Sequence, residues 1–497
     1  MSARGLGLTM LGAVLLLPMG LGGAQAAPRR DVVVGMVLEP PGLDPTTGAA
    51  AAIGEIVHYN ILEGLTKVDE NGTVSPLLAT SWTISPDRKT YTFKLRHGVT
   101  FSNGKPFDAS DVKFTFTRDG APGSLNKNHD RFQNMAAIAT PDPDTIVITL
   151  KEPNPFLLFN LGEDTAVILE PASAAHDATD PIGTGPFKLE NWVKGSSVTL
   201  TRWPGYRDNG AIKLDKVTFR FISDPAAEVA AILSGDVDVF PTFNNLDALP
   251  EIKANPNFVV QVGTTQGKTI IALNNGRKPF NDIRVRRAVA YAIDRKAIID
   301  GAMDGYGVPI GSHFAPNQPG YVDLTGMYPY DPAKAKALLK EAGYPNGFDT
   351  TLKLPPPDYA RRGGEIVAAE LAKVGIRAKI ENVEWAQWLD GTYKKHDYDM
   401  TIVSHVEPLD MHIYTDKNYY FQYDSPAYRA LYAKIATAGT LAERNQDMEA
   451  VQRKIAQDCV NAFLFVLPRV SVIHVGLKGI WVNAPIFVND MTAVHWE

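Results

Sequence analysis

Residues 350–383 read TTLKLPPPDYARRGGEIVAAELAKVGIRAKIENV. Thr350–Leu354 has the character of a strand, and three prolines close it. Apolar residues then recur at helical spacing over Gly364–Val374, and Gly375 stands where a helix stops. Arg377–Val383 reads as a second strand. A strand, a helix and a strand at this spacing pair in parallel, with the helix as the crossover. The unit predicts an α/β protein.

The alternation extends in both directions. Toward the C-terminus, Ala442–Gln457 reads as a helix and Ala462–Leu467 and Val470–Val475 as strands. Toward the N-terminus, Asp331–Ala342 is a helix closed by Gly343, and Asp282–Ile299 is one long helix behind the strand Thr269–Leu273. Pro225–Ser234 is a short helix with Gly235 just past its end, followed by a strand over Asp236–Phe240. Val198–Thr201, Val217–Phe221, Ile146–Leu150 and Tyr91–Leu95 alternate as strands. Asp108 caps a helix that begins near Asp111. A helical period runs from Ile53 to Leu65, and Asp31–Leu38 is a β-branched strand. There is no internal repeat and no long linker.

The chain has 497 residues, so at about 100–200 residues per domain it holds two to four lobes. Gly at 41 and Pro at 35 are ordinary usage, which excludes collagen-like and disordered classes. A net charge of −6 with mixed signs gives no footprint for nucleic acid or an acidic membrane surface. The single cysteine, Cys459, excludes a disulfide framework and a cysteine-based metal site, and its apolar surroundings predict a buried core residue. Residues 1–26 read as a secretory leader: Arg4, an apolar run to Leu21, then Ala24-Gln25-Ala26. No cysteine near that cleavage point is available for a lipid anchor. The expectation is a periplasmic protein that is not a lipoprotein.

Catalytic templates are absent. There is no GxSxG, HExxH, GxxxxGK[ST] or CxxC pattern. The ten histidines are scattered, with His396, His405 and His412 nearest one another. The residues thus offer no catalytic set, no cofactor motif and no metal site.

Several segments, in order, resemble the periplasmic solute-binding proteins of the peptide/nickel class that serve ATP-binding-cassette importers. They include Ile61–Leu65 (ILEGL), Pro76–Trp82 (PLLATSW), Tyr91–Phe101 (YTFKLRHGVTF), Gly104–Asp108 (GKPFD), Gly183–Phe187 (GTGPF), Asp282–Asp294 (DIRVRRAVAYAID), Tyr330–Gly343 (YDPAKAKALLKEAG) and Leu371–Ile376 (LAKVGI). The resemblance implies a two-lobed periplasmic-binding-protein fold with a hinge of two crossover strands. Lobe I would hold 31–268 and 473–497, with an extra subdomain at about 61–180. Lobe II would hold 269–472. A peptide or peptide-like solute would bind between the lobes of a monomer, and the closed form would meet permease subunits in the inner membrane. An opine, an oligosaccharide or chelated nickel on the same scaffold is the alternative, nickel requiring His405, His412 or another histidine to converge.

The resemblance also implies ligand residues. In peptide-binding members an aspartate of a lobe II loop pairs with the ligand α-ammonium. The matching stretch is Tyr398–Tyr414 (YDMTIVSHVEPLDMHIY), which offers Asp410 or Glu407. Ser404-His405 replaces the usual Gly-Trp pair, so the stacking tryptophan is missing. Arg361, in the loop before the helix at 364, stands where relatives place an arginine for a ligand carboxylate, with Tyr359 beside it. Of Trp385 and Trp388, one packs in the core and the other, taken as Trp385, lines the cleft. Tyr414 adds aromatic surface. Glu39, after the first strand, faces the cleft from lobe I, and Asn274 hydrogen-bonds near the hinge.

Overall fold

The computed structural model describes residues 29–497; the leader read at 1–26 lies outside the described residues. An eleven-stranded sheet dominates the described chain. In chain order its strands are β1 (Asp31–Met36), β2 (Phe187–Val193), β3 (Ser197–Arg202), β4 (Lys216–Phe221), β5 (Val239–Phe240), β6 (Phe258–Leu273), β7 (Val308–Pro309), β8 (Phe348–Leu354), β9 (Ile376–Asn382), β10 (Met400–His405) and β11 (Asn461–His474). Their spatial order is β9-β8-β10-β6-β11-β5-β1-β4-β3-β2, with β7 paired to β11.

The unit at 350–383 folds as its sequence predicts. β8 and β9 pair in parallel, Phe348 opposite Ile376 through Leu354 opposite Asn382. The crossover helix runs over Asp358–Lys373, six residues earlier than its apolar period implied. Pro357 supplies the reason: its fixed φ of −61° suits the residue just before a helix, and Asp358 complements the positive end of the first turn. Tyr359 and Arg361 are therefore helical residues and not loop residues.

Other boundaries moved for similar local causes. The helical period at 53–65 is a helix only over Ala51–Val57. Asn60 breaks it: its amide donates to Ile56 O and to Asn489 O, and its Oδ1 accepts from Met491 N. A tertiary contact thus overrides the period. The long helix at 282–299 is two, Ile283–Ala292 and Arg295–Ala302, because Asp294 caps the second. The two C-terminal strands are one, β11, which runs through Pro468 and Arg469.

β6 and β11 are long antiparallel partners, and they join a half-sheet built on β8, β9 and β10 to one built on β1–β4. Each half has its own core, one around Val289, Leu352 and Ile402, the other around Val34, Leu200 and Phe219. A separate four-stranded antiparallel sheet, in the order Ala79–Ile84, Thr90–Leu95, Thr145–Leu150, Met135–Asp142, packs over the helix Ala109–Asp119. Asp108 caps that helix as its sequence announced, and Asp111 completes a reciprocal capping box with it. No helix of the described residues is long and apolar enough to cross a membrane.

The register of β6 on β11 shifts between Thr264 and Lys268. The close approach of the C-terminal segment there depends on Gly263, where an added Cβ would lie 1.9 Å from Val482 O. Gly263→Ala is expected to lower stability by about 1–3 kcal/mol, because backbone must move to relieve the overlap. Urea unfolding of the pair of proteins measures it, and an unchanged midpoint contradicts this packing.

Candidate functional site

A cavity of about 1090 Å³ opens where the two half-sheets meet. Clefts that hold small ligands run to about 300–1,000 Å³, so this one has room for a solute of several residues. Residues from both halves line it. Glu55, Lys127, Arg131, Glu163 and Asp164 come from one side. Met303, Asp304, Asp358, Arg362, Glu407 and Pro408 come from the other. The floor is the break in the β6/β11 ladder, Thr265–Gly267 against Leu467–Val470.

The break explains why these residues face the cavity. Pro468 has no N–H to donate, and the shift leaves Thr265, Gln266 and Gly267 outside the regular pairing. Gln266 is buried; its amide nitrogen donates to Asn317 Oδ1 at 2.7 Å, and its Oε1 has no partner. Arg469 is 3% exposed and donates to Pro241 O at 3.2 Å, Asn483 O at 3.2 Å and Asn489 Oδ1 at 3.3 Å. No carboxylate of the described residues forms an ion pair with it. Burial pushes its guanidinium down to about 10, against the opposing field of Glu55.

Three of the wall cations are paired. Arg131 binds Glu163, and Lys127 lies 3.6 Å from Asp164. Burial raises both carboxyls above the usual range. Across the cleft, Arg362 donates to Gly301 O at 2.9 Å and meets Asp304 at 3.3 Å.

Beneath the lobe II wall lies a closed ionic network. Lys268, on β6, is fully buried, and its ammonium donates to Asp410 Oδ1 at 2.7 Å and to Glu407 O at 2.6 Å. His313 Nε2 shares a hydrogen bond of 3.1 Å with Asp410 Oδ2. His405 Nδ1 is 3.9 Å from the same oxygen, and its Nε2 shares a 2.8 Å bond with the Tyr420 hydroxyl. Burial would raise the Asp410 carboxyl, but the Lys268 ammonium and the two imidazoles hold it well below the usual range. Burial lowers both imidazoles; for His405 the His313 ring adds to this.

This geometry relocates the residues that the sequence singled out. Glu407 lines the cavity. Asp410 does not: the carboxylate expected to meet a ligand ammonium meets the ammonium of Lys268. His405 is buried against the Tyr420 ring. Tyr414 is buried and accepts from Asn461 Nδ2 at 3.1 Å. Tyr359 accepts from Ser404 N at 3.3 Å. Arg361 turns to Glu384 at 3.1 Å, and its neighbour Arg362 takes the cavity face, because one residue along a helix is about 100° of rotation. Trp388 is the core member of its pair, with Nε1 donating to Thr401 Oγ1; Trp385 is exposed beside it, away from the cavity lining. Glu39 accepts from Trp192 Nε1 and Gly195 N, which turns it away from the cleft. Asn274 donates to His396 O and Tyr398 O, closing the end of β6.

His313, His405 and Asp410 each offer one atom to a metal, all within 4.8 Å. This is the histidine convergence that a metal reading required, with His313 in place of His412. Lys268 already occupies the carboxylate, and an ion there would face that like charge in a low-dielectric setting. The sequence did carry one signal for the network: Lys268 is a lone cation before the apolar run Ile270–Leu273. Arg469 is likewise alone between two apolar runs.

The family model described as bacterial extracellular solute-binding proteins, family 5 Middle, matches residues 73–423. The chain belongs to this family. Glutathione-binding protein GsiB of Salmonella paratyphi A is 33% identical over 381 residues, 76% of this chain and 74% of GsiB. Among solved structures, the periplasmic binding protein DppA from Helicobacter pylori in complex with peptide STSA superposes with a TM-score of 0.75 at 28% identity, covering 94% of this chain and 99% of DppA. AgaA from A. tumefacien R10, in complex with agropinic acid, gives 0.75 at 27% identity, covering 94% and 99%. The unliganded open form of MppA gives 0.84 at 23%, covering 95% and 98%, a likeness of fold. This family 5 protein has the two-lobed periplasmic-binding-protein architecture, with β6 and β11 as the strands that cross between lobes.

Lys268→Met leaves Asp410 buried without its counterion and should cost about 3–5 kcal/mol, with Asp410→Leu in the same chain recovering much of the loss. Urea unfolding of the single and double variants checks this, and equal stability of the single variant and the parent contradicts it. The network also sets a pH dependence. Unfolded histidine titrates near pH 6.5, and His405 and His313 titrate below that when folded. Between the two values the unfolded chain binds more protons, so stability is complete above pH ~6.5 and falls as pH falls below it. His405→Gln should flatten the fall in melting temperature between pH 7 and pH 5.

Proposed function

We propose that this chain captures a peptide or peptide-like solute in the cleft between its lobes and delivers it to an ATP-binding-cassette importer. The observation that carries the reading is the cavity itself: charged side chains of both lobes face one space, over a floor made by the two connecting strands. A receptor needs half-sites that meet when the lobes close, and ligand binding then favours the closed state. The relatives point the same way, GsiB being named for glutathione and DppA being solved with a peptide. Lobe I is assigned 31–268 with 473–497, its extra subdomain about 61–180, and lobe II 269–472. The leader at 1–26 sends the chain to the periplasm, where it acts as a monomer without a lipid anchor, a cofactor or catalytic residues.

A second reading rests on one observation. Asp410 is occupied by Lys268, so the ammonium site expected for α-linked peptides is filled from within. AgaA, of similar fold and identity to this chain, holds agropinic acid, which favours an opine-like solute.

Thermal unfolding against dipeptides, tripeptides including glutathione, opines, sugars and nickel separates these readings. A ligand at 100 times its Kd adds about 2.7 kcal/mol, a clear rise in melting temperature. The rise is expected with a short peptide or glutathione. A rise confined to opines, sugars or nickel contradicts the peptide reading and keeps the receptor.

A further inference from the structure

Among the cleft charges outside the ion pairs of the described residues, Arg469 is the single cation, beside the carboxylates Glu55, Asp247, Asp358 and Glu407. On the lobe I wall Arg131 takes Glu163 and Lys127 takes Asp164. Of the unpaired carboxylates, Glu55 is the one joined to Arg469 through a shared neighbour. Both line the cavity, and neither forms an ion pair among the described residues. They are neighbours through Asn489, whose N–H donates to Glu55 O at 3.2 Å and whose Oδ1 accepts from Arg469 Nη2 at 3.3 Å. Arg469 is almost wholly buried, and its three hydrogen bonds go to neutral oxygens, so donors of its fork stay free. A buried cation without a counterion is costly, and a ligand anion is the group that relieves it. Gln266, on the same floor, holds a buried acceptor without a partner.

An adjacent unpaired anion and cation complement one chemical unit, an ammonium and a carboxylate on the same carbon. We propose that Glu55 and Arg469 read a free α-amino-acid head, the ammonium on Glu55 and the carboxylate on Arg469, so that the cleft selects peptides linked through a side-chain carboxyl over α-linked ones. An α-linked peptide separates its ammonium from its carboxylate by its whole length. A γ-linked glutamyl peptide keeps both on its first α-carbon. Gln266 Oε1 accepts a peptide N–H or a second ammonium hydrogen. Burial raises the Glu55 carboxyl against the opposing field of Arg469, and an ammonium beside it adds to that opposition.

This inference rests on the peptide reading above and is tested by two isomers of one composition, γ-Glu-Cys-Gly and α-Glu-Cys-Gly, titrated calorimetrically into the protein. The γ isomer should bind about 10-fold tighter or more. Glu55→Gln should weaken the γ isomer far more than the α isomer and so remove the preference, and N-acetyl-γ-Glu-Cys-Gly should lose as much on the parent protein, which covers a variant that fails to fold. Equal affinity for the isomers, or a preference that survives Glu55→Gln, overturns the inference and leaves the peptide reading standing. Failure of both isomers and of every di- and tripeptide overturns both.

Discussion

The antiparallel pairing of Phe258–Leu273 with Asn461–His474 ties the two halves of the sheet, and the rest of the molecule is arranged around it. Its ends are regular ladder and its middle is not. The break between Thr264 and Lys268 has three consequences. It leaves Thr265–Gly267 free to face the cleft, it brings Arg469 to the cleft floor, and it is followed at once by Lys268, whose ammonium reaches Asp410. A ladder that is interrupted where two lobes meet is also where a few backbone angles can change with least loss of hydrogen bonding, which is what hinge motion requires.

Buried charge is the second theme. Taking a charge out of water costs several kcal/mol unless partners return it. At Lys268 the fold supplies the return itself, through Asp410 and the Glu407 carbonyl. At Arg469 it supplies carbonyl and amide oxygens only. The first cation has a carboxylate counterion; the second lines the cleft without one. The contrast separates charges that hold the fold from charges that await a solute.

Much of the fold was legible because its signals are local. The alternation at 350–354 and 377–383 with a helical period between them gives the parallel unit, Asp108 gives an N-cap, and Gly235 gives a helix end in the left-handed region. The resemblance extended this to the two-lobed architecture. The site was less legible because its geometry is not local. Lys268 reaches Asp410 across 142 residues, and nothing near Asp410 announces a cation. Arg361 and Arg362 are adjacent in sequence, yet one turns to Glu384 and the other to the cleft, since a helix start moved by six residues decides which face each takes. Glu39 met its partners, Trp192 and Gly195, on a hairpin far along the chain. Arg469, alone between apolar runs, was the signal in plain view.

The central claim is that the lobes close on a solute held between them. Small-angle X-ray scattering of the protein with and without the most stabilising solute tests it most directly. The account predicts a smaller radius of gyration and a shorter maximum dimension when calorimetry shows the site full. A solute that binds stoichiometrically and leaves the scattering curve unchanged contradicts it.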